Sequence, residues 1–284
     1  MSHLKQKNCF GDYMVTAIIW FTVIGICMAF FWFMSDILIQ GSSSLSVDFF
    51  IENPRNSGRA GGIFSIIVST SLILLVCLLT VIPLALGTAI FLAEFASLNL
   101  LFTRFVRQSL DILAGIPSII FGLFGSVFFC NILGLGFSIL SGGLTLSCMV
   151  LPILIRSIEE GFRSLDNDYR LNATALGFSK TSMVFRFLLP MATPGIIVGL
   201  ILGIGRAIAE TAALIFTSGY VDRTPSSLLD SGRSLSIHIF DLSMNIPGGN
   251  ANAYASALVL ILFILLINLA VSFFSKRWLQ RNIL

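Results

Sequence analysis

The sequence predicts an all-α integral membrane protein with six transmembrane helices and both termini in the cytoplasm. Hydrophobic residues make up 56% of the 284 residues and charged residues 11%, whereas an ordinary soluble domain has about 25% charged residues. The hydrophobic residues are gathered in runs long enough to cross a bilayer. Lys and Arg are concentrated in alternate connecting segments, which indicates the orientation.

Long charge-free runs predict the first four crossings, because one crossing needs about 20 apolar residues at ~1.5 Å each. Tyr13 to Ser35 predicts the first helix and Ala60 to Ala93 the second. Residues 112–155 carry no charge over 44 residues. As a helix this run would measure roughly 66 Å, twice the ~30 Å hydrocarbon core, so it predicts two crossings. We expect the break in the glycine- and serine-containing stretch 131–143. The fifth helix is predicted at Pro194 to Thr217 and the sixth at Ala253 to Phe274.

The distribution of basic residues assigns the sides of the membrane. With the N-terminus inside, 12 of the 17 Lys and Arg fall in cytoplasmic segments, four fall outside, and Arg206 lies within a helix. This asymmetry follows the positive-inside rule. Cytoplasmic termini and a long cytoplasmic loop between the fourth and fifth helices follow from it.

Residues 205–211, GRAIAET, place two charges inside the fifth predicted helix. Arg206 lies 12 residues beyond Pro194, roughly 18 Å along a helix and so near mid-membrane. The i, i+4 spacing predicts that Arg206 and Glu210 share a helix face and pair. Because a central arginine costs about 2.5 to 3.5 kcal/mol in lipid, we expect the pair to face protein or water.

Small residues beside the pair predict close approach of a neighbouring helix. They recur every four positions: Gly195, Gly199, Gly203, Ala207 and Thr211.

Two interpretations of the pair remain open: an ion pair that locks the fifth helix against a neighbour, or a ligand pathway formed by Arg206, Glu210 and Thr211. A guanidinium matches the oxygens of an oxyanion. Glu210 would hold the arginine in one rotamer and accept a hydrogen bond from a protonated phosphate, which sulfate lacks at neutral pH.

No enzyme chemistry is expected on this chain. The histidines, His3 and His238, and the five cysteines form no catalytic or metal-binding pattern. The sequence also lacks GxxxxGK[ST], so any ATP that drives it must bind another subunit. The cytoplasmic loop from Arg156 to Arg186 mixes helix formers, turn residues and both charge signs, which favours short helices that dock a partner over a solvated linker.

This loop resembles the coupling loop of type I ABC importer permeases, EAA-x3-G-x9-I-x-L-P. The matching positions are Ala173, Gly177, Phe187, Leu189 and Pro190. Leu171 and Asn172 depart from the pattern, since the family usually has Glu and Ala there.

Two further stretches resemble the permease subunits of the phosphate-specific transport (Pst) system. They are AGIPSIIFGLFG at 114–125 and GRAIAETAALIFTSG at 205–219. The ETAAL sequence within the second stretch resembles the PstA-type subunit more than its PstC-type partner.

The resemblance implies a type I ABC importer permease fold in a bacterial or archaeal inner membrane. Residues 1–59 would form a tail, the first helix and an outer loop, and residues 60–284 a permease core with its coupling loop at 156–190. Implied partners are a PstC-type permease, a dimeric ATPase that binds ATP, an extracytoplasmic phosphate-binding protein, phosphate and lipid, without nucleic acid. The implied ATPase-coupling residues are Arg170, Ala173, Gly177, Leu189 and Pro190, with Arg170, Asp168 and Glu160 as substitutes for the missing acid.

Three alternatives follow from the residues themselves. Arg156, at the inner end of the fourth helix, is an anchor in the positive-inside pattern or a contact at the cytoplasmic exit. The transported anion is phosphate or another oxyanion such as molybdate or sulfate. A stand-alone carrier with Arg206 and Glu210 as a proton relay is the more distant reading, since it gives the docking loop no role.

Overall fold

The computed structural model describes residues 10–96 and 101–283, which fold into helices and one two-stranded hairpin. Residues 1–9, which belong to the predicted N-terminal tail, lie outside these ranges. The helices are α1 (Phe10–Ser43), α2 (Val47–Ile51), α3 (Phe64–Ile90), α4 (Leu101–Gly115), α5 (Ser118–Gly125), α6 (Ile139–Arg163), α7 (Asn167–Ala175), α8 (Lys180–Met183), α9 (Leu189–Met191), α10 (Thr193–Ala209), α11 (Ala212–Ile215), α12 (Leu235–Met244) and α13 (Asn250–Ile283). Strands β1 (Pro54–Arg55) and β2 (Ala60–Gly61) pair antiparallel around a 3₁₀ turn at Asn56–Gly58, and π-helical turns occupy Phe91–Phe95, Ser126–Ile132 and Val184–Leu188.

Four helices of the described chain are long and apolar enough to cross a membrane singly: α1, α3 with its π-turn, α6 and α13. Two bent pairs supply the other crossings. The helix Leu101–Gly115 meets Ser118–Ile132 at 103°, and Lys180–Met191 meets Thr193–Ala209 at 63°. Six crossings, as predicted, result when each bent pair counts as one span.

The third and fourth crossings separate within the predicted stretch, since the π-turn after α5 ends at Ile132 and α6 begins at Ile139. The third crossing also contains a sharp bend that its composition does not show. The bend falls at Ile116 and Pro117, where proline has no amide hydrogen to continue the helix. The second helix begins at Phe64 rather than Ala60, because residues 60–61 pair with the first strand.

The fifth helix is shorter than predicted. It ends at Ala209, and Glu210 has extended backbone (φ −75°, ψ 126°). The Glu210 Oε1 accepts a hydrogen bond from the Ala213 amide at 3.2 Å, so its carboxylate caps the start of α11. The expectation of one helix from Pro194 to Thr217 is therefore wrong, because the helix breaks at Glu210 and its carboxylate accepts from an amide at the start of the next helix.

The centre of the bundle is formed by α3, α6 and α10, which are joined by small residues. On α6, Gly143 lies against Val76 of α3, and the Ser147 hydroxyl donates to the Cys77 carbonyl at 3.2 Å. A Cβ added at Gly195 of α10 would lie 2.5 Å from the Cα of Gly161 on α6. The predicted small-residue seam is confirmed along α10: its glycines contact α6 at Gly161, Ser157, Leu154 and Val150.

The outer segments are tied to one another by buried polar groups. Arg233 is 7% exposed; it donates to the Tyr220 carbonyl at 2.9 Å and pairs with Asp241 at 3.3 Å. His238 is fully buried, and its Nδ1 lies 3.5 Å from an Arg233 nitrogen. Burial, together with the Arg233 charge and against the opposing effect of Asp241, lowers the pKa of His238 to about 4. A Cβ at Gly58, in the other outer loop, would meet the His238 ring.

Candidate functional site

Arg206 lies in the last turn of α10, on a face of the helix that the rest of the described chain leaves uncovered. Leu202 and Val198, one and two turns earlier on the same face, are 55% and 52% exposed, and Arg206 is exposed as well. No ion pair or side-chain hydrogen bond joins Arg206 to another described residue. The structure thus presents an apolar track that ends in one free guanidinium.

The depth of Arg206 follows from the seam with α6. Because Gly203 lies against Val150 and the two helices run antiparallel, Arg206 is level with about residue 147 of α6. That level is roughly 12 Å from the first residue of α6, Ile139. Arg206 therefore lies about a third of the way along α6 from the Ile139 end.

The predicted pair between Arg206 and Glu210 is not formed, which corrects the sequence-based expectation. The i, i+4 rule applies only within one continuous helix, and α10 ends between the two residues. Glu210 is half-buried; it caps α11 with its carboxylate and accepts from the Ser236 hydroxyl, 2.6 Å away, with its carbonyl. Thr211 is also half-buried and opens α11, its carbonyl accepting from the Ile215 amide at 3.0 Å.

A groove of about 670 Å³ continues the track toward the cytoplasmic side. Val198 and Leu202 form one wall; Pro152, Arg156 and Glu160 of α6 form another. The groove and the Arg206 face together make one open surface along α10. An ion or a second protein can contact this surface without displacing any part of the described chain.

Arg156 is anchored at the inner end of this groove. Its guanidinium pairs with Asp111 at 2.6 Å and Glu159 at 3.0 Å, and it donates to the Arg107 carbonyl at 2.9 Å. Glu159, whose side chain is 2% exposed, also pairs with Arg107 and Arg163, each at 2.9 Å. The structure therefore gives Arg156 a bracing role between α4 and α6, while leaving 31% of its side chain exposed.

The predicted coupling loop is a helix, a tight turn and a second short helix. Gly177 has φ +77°, and an added Cβ would meet nothing within 4 Å. Positive φ favours glycine, so Gly177 forms the tight turn between the short helices expected in this loop. Ala173 is buried at 6% exposure, and the partly buried Leu189 and Pro190 begin α9.

The outward face of the loop is more apolar than the family pattern implies. Leu171, which stands in the place of the usual acid, is 58% exposed, and Tyr169 and Leu176 are 48% and 76% exposed. Asp168 and Asn172 are exposed beside them. A solvated loop has no need for three large exposed apolar side chains within eight residues, whereas a docking surface does.

Arg170 is turned inward, which corrects the expectation that it replaces the missing acid on the outer face. It pairs with Glu94 at the end of α3, with Nη2 to Oε1 at 2.6 Å and Nε to the two oxygens at 3.1 and 3.2 Å. The Glu94 side chain is 3% exposed. Glu160 likewise lies away from the docking face and lines the groove.

Comparison with known proteins identifies the architecture. The family model described as "Binding-protein-dependent transport system inner membrane component" matches residues 85–283. This chain belongs to that family. The permease is therefore a transport component of the inner membrane with several membrane-spanning helices.

Two individual relatives are also named as permease proteins. It is 34% identical over 260 residues to the "Probable ABC transporter permease protein YqgI" of Bacillus subtilis, and the match covers 86% of each chain. It is 33% identical over 212 residues to the "Phosphate transport system permease protein PstA" of Mycobacterium leprae, covering 74% of the permease and 69% of that protein.

A solved structure supports the predicted fold. A chain of the bacterial alginate ABC transporter, in complex with an alginate pentasaccharide-bound periplasmic protein, superimposes with a TM-score of 0.65 at 15% identity and covers 95% of each chain. At this identity the likeness concerns the fold alone. The permease has the type I ABC importer permease fold, as predicted.

Sequence reasoning missed the acids that organise the cytoplasmic side. Glu94 and Glu159 are buried and together engage four arginines: Arg107, Arg156, Arg163 and Arg170. One signal was available, because Glu94 directly ends the 34-residue charge-free run 60–93. An acid at the edge of a crossing is costly to bury without a partner, so such a position predicts an arginine nearby.

Proposed function

We propose that this permease is the PstA-type subunit of an ATP-driven importer of inorganic phosphate. The observation that carries the proposal is Arg206, a guanidinium without an ion partner among the described residues on the uncovered face of α10. Facing lipid, it would cost about 2.5 to 3.5 kcal/mol. A second permease, of PstC type, that covers this face would enclose the arginine in a path between the two subunits.

The chemistry of the track suits an oxyanion. A guanidinium offers planar donors that match phosphate oxygens. Since Glu210 does not neutralise Arg206, the positive charge remains available to the anion. Among described partners, the Glu210 carboxylate is engaged through Oε1 only, so its other oxygen can accept the proton of hydrogen phosphate. Sulfate has no such proton at neutral pH, and we expect weaker transport of sulfate.

We expect one partner on the cytoplasmic side of the permease and another on the outer side. The exposed apolar side chains of Tyr169, Leu171 and Leu176 mark the part of the loop on which a dimeric ATPase would dock. ATP would bind that subunit, since the permease carries no phosphate-cradling loop. An extracytoplasmic phosphate-binding protein would deliver the anion to the outer side. Arg156 would line the inner exit, held in place by Asp111 and Glu159.

The alternative of a proton-relay carrier loses its basis, because Arg206 and Glu210 are not paired and the chain belongs to an ABC importer family. Transport of another oxyanion, such as sulfate or molybdate, is one outcome of the following experiment. The experiment is uptake of labelled phosphate into vesicles that contain both permeases, with the ATPase and the binding protein each omitted in turn. Uptake that persists without the ATPase would contradict the proposal, and so would import of sulfate or molybdate in preference to phosphate.

Substitutions of Arg206 test whether this residue lies in the transport pathway. We expect Arg206→Ala to abolish phosphate uptake while the complex assembles and hydrolyses ATP, and Arg206→Lys to retain part of the uptake, because lysine keeps the charge but loses the planar fork. Arg223→Ala, at an arginine with 72% side-chain exposure on the outer loop, is the matched control. Normal uptake by an assembled Arg206→Ala complex would exclude Arg206 from the pathway.

A further inference from the structure

Glu94 is a buried carboxylate at the cytoplasmic end of α3. It lies in the π-helical turn Phe91–Phe95, which extends α3 without a break. Such turns add one residue to a helical turn and are frequent at functional positions. Its side chain is 3% exposed, so the charge needs a partner that is held in place.

The partner, Arg170 of α7, uses all its nitrogens. Nε and Nη2 bind the Glu94 carboxylate, Nη2 also donates to the Phe162 carbonyl at 2.8 Å, and Nη1 donates to the Leu165 carbonyl at 3.2 Å. One side chain therefore joins α7 to the end of α3 and to the end of α6. A forked, charge-assisted contact of this kind fixes direction as well as distance.

Other contacts between α7 and the bundle are few. Ala173 is the buried residue of α7, and next to it a cleft of about 400 Å³ opens between Ala93, Arg170 and Lys180. The interface is therefore not close-packed. In addition, the Lys180 ammonium lies over the Phe95 ring, 5.2 Å from its centre. Two charged side chains of the loop, Arg170 and Lys180, contact the end of α3 beside this cleft, at Glu94 and Phe95.

The far end of α3 reaches the outer segments. The Thr70 hydroxyl accepts from the Leu235 amide at 2.9 Å, and the Ser65 hydroxyl donates to the Asp222 carbonyl. The helix from Phe64 to Phe95 is thus a single rod that contacts the docking loop at one end and the outer loop at the other.

We propose that Glu94 and Arg170 form a coupling clamp, a positioning pair through which movement of α7 is transmitted to α3. This inference rests on the proposed function, since it takes the ATPase to act on the exposed face of α7. The pair itself touches neither ATP nor the transported anion. Breaking it should leave both reactions possible but should disconnect them.

The test is the amount of inorganic phosphate imported per ATP hydrolysed, measured in vesicles with the complete complex. Two variants are needed. Arg170→Lys keeps the charge and loses the fork, and the double variant Glu94→Gln with Arg170→Gln removes both buried charges together, which avoids the unpaired charge that a single substitution leaves. Arg163→Gln is the matched control, because Arg163 also pairs with a buried glutamate, at 2.9 Å, but within α6.

We expect both variants to assemble and hydrolyse ATP, with phosphate imported per ATP about tenfold lower, a factor equivalent to about 1.4 kcal/mol of lost coupling. Arg163→Gln should keep the wild-type ratio. An unchanged ratio in the two clamp variants would overturn the inference. Failure of both to assemble would overturn it too, because the pair would then be a requirement for folding. A wild-type complex that imports no phosphate would instead refute the proposed function, and the clamp with it.

Discussion

The contact between α6 and α10 predicts a large difference between two identical substitutions on one helix. Gly195→Ala adds a Cβ that would lie 2.5 Å from the Gly161 Cα and 3.1 Å from the Ser157 carbonyl oxygen. Both neighbours are backbone, so neither can rotate away. Ordinary carbon contacts are about 3.5 to 4.0 Å, and the helices must therefore separate by roughly 1 Å. Overpacking of this kind costs about 1 to 3 kcal/mol.

Gly205→Ala is the matched control, since a Cβ there meets nothing within 4 Å. Both substitutions gain about 0.8 to 1 kcal/mol of helix propensity, and that gain cancels in the comparison. The assay is thermal unfolding of the purified permease in detergent, with the two variants measured side by side. We expect the apparent midpoint of Gly195→Ala to lie roughly 2 to 10 °C below that of Gly205→Ala. Equal midpoints, or a higher one for Gly195→Ala, would refute the idea that this seam is close-packed.

Two further predictions concern the turn at Gly177 and the outer helix α12. Gly177→Val forces a β-branched residue to φ +77°, so we expect phosphate uptake and ATPase association to be lost while membrane insertion is normal. Gly177→Asn should retain more of both, because asparagine tolerates positive φ. Equal activity of the two variants would contradict the role of the turn. His238 is the basis of a pH prediction: its pKa is about 4 in the folded chain and about 6.5 when unfolded. The unfolded state therefore binds the proton more tightly, and about 3 kcal/mol of stability should be lost as the pH falls from about 6.5 to 4. Unfolding curves across this range should be flatter for His238→Gln than for the wild type, and parallel curves would show that His238 is not the responsible group.

The residues at the fifth crossing show where sequence reasoning reached its limit. The small-residue stripe was predictable because its period matches one helix face, and the structure places it against α6. The pairing of Arg206 with Glu210 was not, because it assumed that α10 continues past Ala209. Apolar composition indicates which residues can lie in lipid; it does not indicate where the backbone turns within the membrane.

The cytoplasmic side shows the same limit at longer range. The turn at Gly177 was predictable because a glycine after a short run of helix formers is a local signal. The inward direction of Arg170 was not, because its partner Glu94 is 76 residues away in the chain. Only the packing of α3, α6 and α7 brings the two charges together.

The sequence by itself predicted the six crossings, their orientation and the family, because hydrocarbon thickness, the positive-inside rule and local motifs act on short stretches of chain. The tertiary structure decided which charges meet. It left Arg206 exposed on an open face, surrounded Glu159 with arginines and joined Glu94 to Arg170. The physical reason is that a buried charge is stabilised by whichever opposite charge the fold brings within hydrogen-bonding distance, and that neighbour need not be close in the sequence.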